Sequence, residues 1–104
     1  MQFQHTSVLL NESIEALQIQ LDGIYVDGTL GGGGHSKEIL RKLKNGHLYA
    51  FDKDITAIET ATILLQEISD AFTIIHDDNC HLVKDLQEYQ VEQVDGILLD
   101  LGVS

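Results

Sequence analysis

The chain has 104 residues, enough for one small domain and too few for two independent cores. It is 43% hydrophobic and 22% charged, an ordinary globular composition, and 6 Lys and Arg against 17 Asp and Glu leave a net charge of −11, so few cations are available to grip phosphates. A single cysteine forms no internal disulfide, no apolar run approaches the ~20 residues of a membrane span, and Met1 to Thr6 has neither a basic nor an apolar signal region; a cytoplasmic chain with no membrane partner is expected.

Hydrophobic periodicity separates the elements. Leu10, Ile14 and Leu17 recur at helical spacing between Ser7 and Ile19, and Asp22-Gly23 turns the chain into a short strand, Ile24 to Val26. After a glycine cluster, Ile39, Leu40 and Leu43 suit a helix that stops near Asn45-Gly46. Leu48 to Phe51 reads as the second strand, Ile55 to Ile68 as a helix capped by Asp54, and Phe72 to Ile75 as the third strand. Leu82 to Tyr89 reads as a third crossover helix and Val94 to Leu99 as the fourth and most apolar strand. Strict alternation of strand and helix implies an α/β fold with a parallel sheet covered on both faces, with ligands bound at the C-terminal ends of the strands.

Residues just past strand ends are therefore the ones to weigh. Val26-Asp27-Gly28-Thr29-Leu30 is followed by Gly31, Gly32, Gly33 and Gly34, then His35. Four consecutive glycines tolerate positive φ and let a ligand approach the backbone, more than a plain turn needs. The dinucleotide pattern G-x-G-x-x-G is met only as Gly31-x-Gly33-x-x-Ser36, without the third glycine. Asp27-x-Thr29-x-Gly31-x-Gly33 fits the loop of a methyltransferase instead. A carboxylate there attracts the sulfonium and ammonium of S-adenosylmethionine and repels a pyrophosphate. A turn or helix-dipole role for Asp27 competes with that reading.

Asp52 ends the second strand roughly 20 residues beyond the glycines, the spacing of an acid that bonds a ribose diol. Both NAD and S-adenosylmethionine present that diol. In His76-Asp77-Asp78-Asn79-Cys80, after the third strand, Asp78 or Asn79 either accepts from an adenine amine or caps the next helix. Asp100, at the tip of the most buried strand, needs a cofactor or substrate to justify its charge, and tilts the choice toward methyl transfer.

His5 to Glu12, Gly23 to Ser36 and Val94 to Ser104 together resemble the bacterial 16S ribosomal RNA cytosine-N4 methyltransferases, the RsmH or MraW family. The resemblance implies a Rossmann-like class I fold and methylation of a cytosine amino group in 16S rRNA of the small ribosomal subunit, with S-adenosylmethionine as cofactor. By position, Gly33, Gly34 and His35 would contact that cofactor, Asp52 its ribose, and Asp100 would lie beside it. Asn79 stands where the family has a phenylalanine. By analogy with seven-stranded methyltransferases the strands would lie in the order 3-2-1-4, preceded by the leading helix. Residues 1–104 would then be the N-terminal part of the domain, without the remaining strands or the inserted helical domain that engages RNA. Such a segment is expected to be inactive alone and to self-associate through the exposed strand four. An NAD-dependent oxidoreductase half-domain and a non-catalytic fragment are the rival readings.

Overall fold

The computed structural model describes residues 19–99. The leading helix, apart from Ile19, and the segment from Asp100 onward lie outside the described residues.

Four strands build one parallel sheet: β1 (Ile24–Asp27), β2 (His47–Asp52), β3 (Phe72–His76) and β4 (Gly96–Leu98), in the order β3-β2-β1-β4. Helices α1 (Gly34–Lys42) and α2 (Ile55–Gln66) make the first two crossovers; a 3-10 turn (Asn79–His81) leads into α3 (Leu82–Glu88), which makes the third. The register sets Asp27 opposite Ala50 and Leu98, and Asp52 opposite His76, so the acidic strand ends share one edge of the sheet.

Alternation along each strand divides the core in two, because successive side chains of a strand point to opposite faces. Tyr25, Leu48, Ala50 and Leu98 pack with Ile39 and Leu40 of α1 and with Ala61 and Leu65 of α2. Val26, Phe51, Ile75 and Ile97 pack on the other face with Leu82 and Leu86 of α3. Right-handed crossovers require this arrangement: the chain winds one way from β1 through β3, then returns past β1 to β4 on the opposite face. The reversal makes the C-terminal ends of β1 and β4 the switch point of the sheet.

Most boundaries fall within a residue or two of the periodicity. β4 is the exception, at three residues instead of the expected six. Its N-terminal side is replaced by Asp95, whose N–H donates to Ile24 O at 2.7 Å and whose Oδ2 accepts from Ile24 N, also at 2.7 Å. A side chain there takes the place of a ladder hydrogen bond. α2 is capped as expected, with Asp54 Oδ1 accepting from Thr56 N at 2.9 Å. No helix among the described residues is long and apolar enough to cross a membrane.

Candidate functional site

The glycine loop between β1 and α1 is pinned at its base. Gly28 N donates to Leu98 O at 2.8 Å and Leu30 N to Phe51 O at 2.9 Å, which ties the loop to β4 and β2. Leu30 is 3% exposed and joins the core beneath α1 and α2. Gly31 and Gly33 adopt φ of 53° and 91°, a region closed to most side chains. Gly33 is also packed tightly: a Cβ there would come within 3.3 Å of Ala61 Cβ and Leu64 Cδ2 on α2. Around Gly31, Gly32 and Gly34, by contrast, an added Cβ meets nothing within 4 Å. The loop thus offers open backbone on its outer side and uses Gly33 to seat α1 against α2. Gly33 caps α1 without a side-chain hydrogen bond, and His35 is half-buried in the first turn.

Asp27 lies beneath this loop. It is 1% exposed, its Oδ2 accepts from Ser36 Oγ at 2.7 Å and its Oδ1 accepts from Thr29 N at 3.0 Å. Burial pushes its carboxyl up to about 6, while the hydrogen bonds from Ser36 and Thr29 pull it the other way. The turn-partner role is the one the geometry gives it: Asp27 clamps the loop to α1 and does not line the cavity described next. Ser36 is fully buried at the position where a dinucleotide fingerprint has its third glycine.

Asp52 faces outward from the end of β2. Its Oδ2 accepts from Gly31 N at 2.8 Å and its Oδ1 from Asp54 N at 2.9 Å. A carboxylate has about four lone-pair sites, so roughly two stay open to a ligand. Asp52 lines a cavity of about 90 Å³ to which three strand ends contribute: Gly28 and Thr29 after β1, Phe51, Asp52 and Lys53 at β2, and Asp77, Asp78 and Asn79 after β3. That volume is below the ~300–1,000 Å³ of typical ligand pockets and takes only part of a nucleoside.

The loop after β3 divides the roles that its sequence left open. Asp78 is the cap, its Oδ1 accepting from Cys80 N at 3.0 Å; this bond, followed by Lys53, holds its carboxyl below the usual range. Asn79 lines the cavity and donates from Nδ2 to Gly28 O at 3.0 Å. Because a carbonyl only accepts, this bond fixes which end of the amide is nitrogen and leaves Oδ1 as the free acceptor. Lys53 Nζ meets Asp78 Oδ2 at 3.3 Å in an ion pair between two residues that line the cavity, exposed and hence worth little stability. The predicted residues Asp52 and Asn79 therefore meet at one cavity, the glycines flank it, and Asp100 lies outside the described residues. Thr29 stood in the Asp27-x-Thr29-x-Gly31-x-Gly33 pattern, whereas Lys53 and Asp77 were not singled out from the sequence; their places directly beside strand ends were the available signal.

A family model described as the MraW methylase family matches residues 2–104. Ribosomal RNA small subunit methyltransferase H 1 of Acholeplasma laidlawii is 56% identical over 101 residues, covering 97% of this chain and 33% of that protein. Ribosomal RNA small subunit methyltransferase H of Mycoplasmopsis agalactiae is 49% identical over 104 residues, covering 100% of this chain and 35% of the relative. The chain thus spans about a third of the length of the curated relatives it matches. Among solved structures, an rRNA methylase from Streptococcus thermophilus superposes with a TM-score of 0.66 at 24% identity, over 82% of this chain and 49% of that one. A Streptococcus mutans protein in complex with SAH gives 0.66 at 23%, over 84% and 48%. A SAM-dependent O-methyltransferase from Thermotoga maritima gives 0.67 at 16%, over 91% and 36%. At such identities these likenesses speak for the fold alone: a Rossmann-like methyltransferase fold with the strand order 3-2-1-4.

Proposed function

The chain belongs to the MraW methylase family, and from that premise we propose that residues 1–104 are the N-terminal, cofactor-binding part of an enzyme that methylates the N4 amino group of a cytosine in 16S rRNA of the small ribosomal subunit, in the cytoplasm. The supporting observation is the cavity that Asp52 and Asn79 share at the C-terminal ends of three successive strands, beside an open glycine loop.

The residues present fit S-adenosylmethionine. Asp52 keeps lone pairs for the ribose hydroxyls while its other bonds hold Gly31 and Asp54 in place. Asn79, its nitrogen committed to Gly28 O, offers Oδ1 to the exocyclic amine of adenine. The open faces of Gly31, Gly32 and Gly34, with His35 at the uncapped start of α1, suit the amino-acid end, whose carboxylate is favoured by the helix N-terminus. Asp27, buried under the loop, adds negative charge below a positively charged ligand. When bound, the donor supplies a methyl group made electrophilic by its cationic sulfur.

The chain's own work is then to position and to exclude water. The cytosine amine is a poor nucleophile because its lone pair is delocalised into the ring, so an acceptor has to hold and polarise it; Asp100 is the candidate within this chain. The base has to leave its stack to reach a strand-end cavity. With a net charge of −11, most contacts to the rRNA phosphates fall to the rest of the protein. An NAD-dependent oxidoreductase half-domain is disfavoured by buried Ser36, which donates to Asp27 where close packing would call for glycine. A crystal soaked with S-adenosylhomocysteine tests the proposal: the ribose belongs on Asp52 and the adenine between Asp52 and Asn79, and a ligand seated elsewhere overturns it.

A further inference from the structure

Asp85, on α3, is 7% exposed, and its Oδ2 is buried with no hydrogen-bond partner. Left ionised, that oxygen would be an acceptor with nothing to accept, a costly state in a protein interior. The neighbouring group that bears most on it is another acid, Asp77. Two touching carboxyl groups hold a proton between them, and the better-solvated, better-donated partner keeps the charge. Here that partner is Asp77, whose Oδ1 accepts from Asp78 N at 2.7 Å and pairs with His81 Nδ1 at 2.9 Å. Asp77 and His81 are paired four residues apart, and Asp85 stands four residues further on, in the first turn of α3.

We infer that Asp85 is a positioning residue held as the neutral acid, donating its proton to Asp77 and thereby fixing the wall of the cavity made by Asp77, Asp78 and Asn79. This inference rests on the reading of that cavity as a nucleoside site and adds a proton requirement to it. The electrostatics agree with the geometry. His81 first, then Asp85, draws the Asp77 carboxyl down to about 2, and the bond to Asp77 raises Asp85, as do burial and the Glu88 charge. His81 opposes that rise at Asp85 and is itself raised by Asp77, while Lys84 works against the rise at His81. Because Asp85 is raised in the folded chain, its contribution is present at low pH and is lost as pH climbs through its folded value. Once it ionises, two carboxylates face each other and the wall is pushed apart.

Carbon-13 NMR of the aspartate side chains in the intact chain, together with S-adenosylhomocysteine titrations across pH, tests this. Asp85 should titrate above the usual carboxylate range and Asp77 below it. Asp85→Asn keeps a donor that does not titrate; it should preserve the low Asp77 midpoint, retain affinity and flatten the pH dependence of binding attributable to this pair. Asp85→Ala should raise the Asp77 midpoint and weaken binding roughly three- to tenfold, the loss of about one hydrogen bond. Asp85 titrating with the ordinary carboxylates, or Asp85→Asn behaving like Asp85→Ala, overturns the inference. If Asp85 titrates high but no S-adenosylhomocysteine binds, the shared proton is upheld and the nucleoside reading falls.

Discussion

The Gly31 amide donates to Asp52 Oδ2 at 2.8 Å, joining the glycine loop after β1 to the acid that ends β2. The two features that suggested a nucleoside site are thus one mechanical unit. Asp52 orders the loop before any ligand arrives, which lowers the entropy lost on binding.

Replacing Asp52 with Ala removes both the proposed acceptor for the ribose diol and the tether on Gly31. Affinity for S-adenosylhomocysteine should fall by ~1.5–3 kcal/mol, the range of charge-assisted hydrogen bonds. Isothermal calorimetry measures it, and an unchanged dissociation constant removes Asp52 from the site.

Two neighbouring glycines should respond differently. Gly33→Ala forces a side chain into φ 91° and against α2, so thermal unfolding should reveal a loss of about 1–3 kcal/mol. Gly32→Ala meets no neighbour and should leave the melting temperature nearly unchanged while obstructing the ligand. Equal melting losses for both would contradict the division of the loop into a packed and an open side.

The strand-end logic made much of this legible. Asp52 and Asn79, which line one cavity, were legible as candidates because alternation of strand and helix predicts where strand ends gather, and that depends only on hydrophobic period. The fate of Asp27 was not readable, because a carboxylate bound to Ser36 and Thr29 has the same sequence as one bound to a ligand. The shortening of β4 was hidden for a similar reason: Asp95 satisfies Ile24 through its side chain, and periodicity carries no record of side-chain hydrogen bonds. The unpaired Asp85 oxygen depends on what surrounds α3 in space.

Asp27 should leave a signature in stability against pH. Burial raises its carboxyl from 3.8 to about 6 in the folded chain. The raised value favours folding at low pH, and the benefit disappears as pH rises from about 4 to about 6, by up to roughly 3 kcal/mol. Urea unfolding of the parent and of Asp27→Asn across this window isolates the effect: the difference in slope should vanish above pH 7. Identical slopes in the two proteins would mean that Asp27 titrates normally.

β4 has a partner only in β1 within the described sheet. Sedimentation should therefore reveal association that grows with concentration, and the 104-residue chain should transfer no methyl group to 30S subunits. A monomer at all concentrations, or detectable methylation, would contradict the assignment of these residues as one part of a larger catalytic unit.

The most direct test is parallel calorimetry of the chain with S-adenosylhomocysteine and with NADH. Saturable binding of the first, lost in Asp52→Ala, with no heat from the second is the predicted result. Binding of NADH in preference, or of neither ligand, would contradict the assignment of this strand-end cavity to an adenosyl sulfur compound.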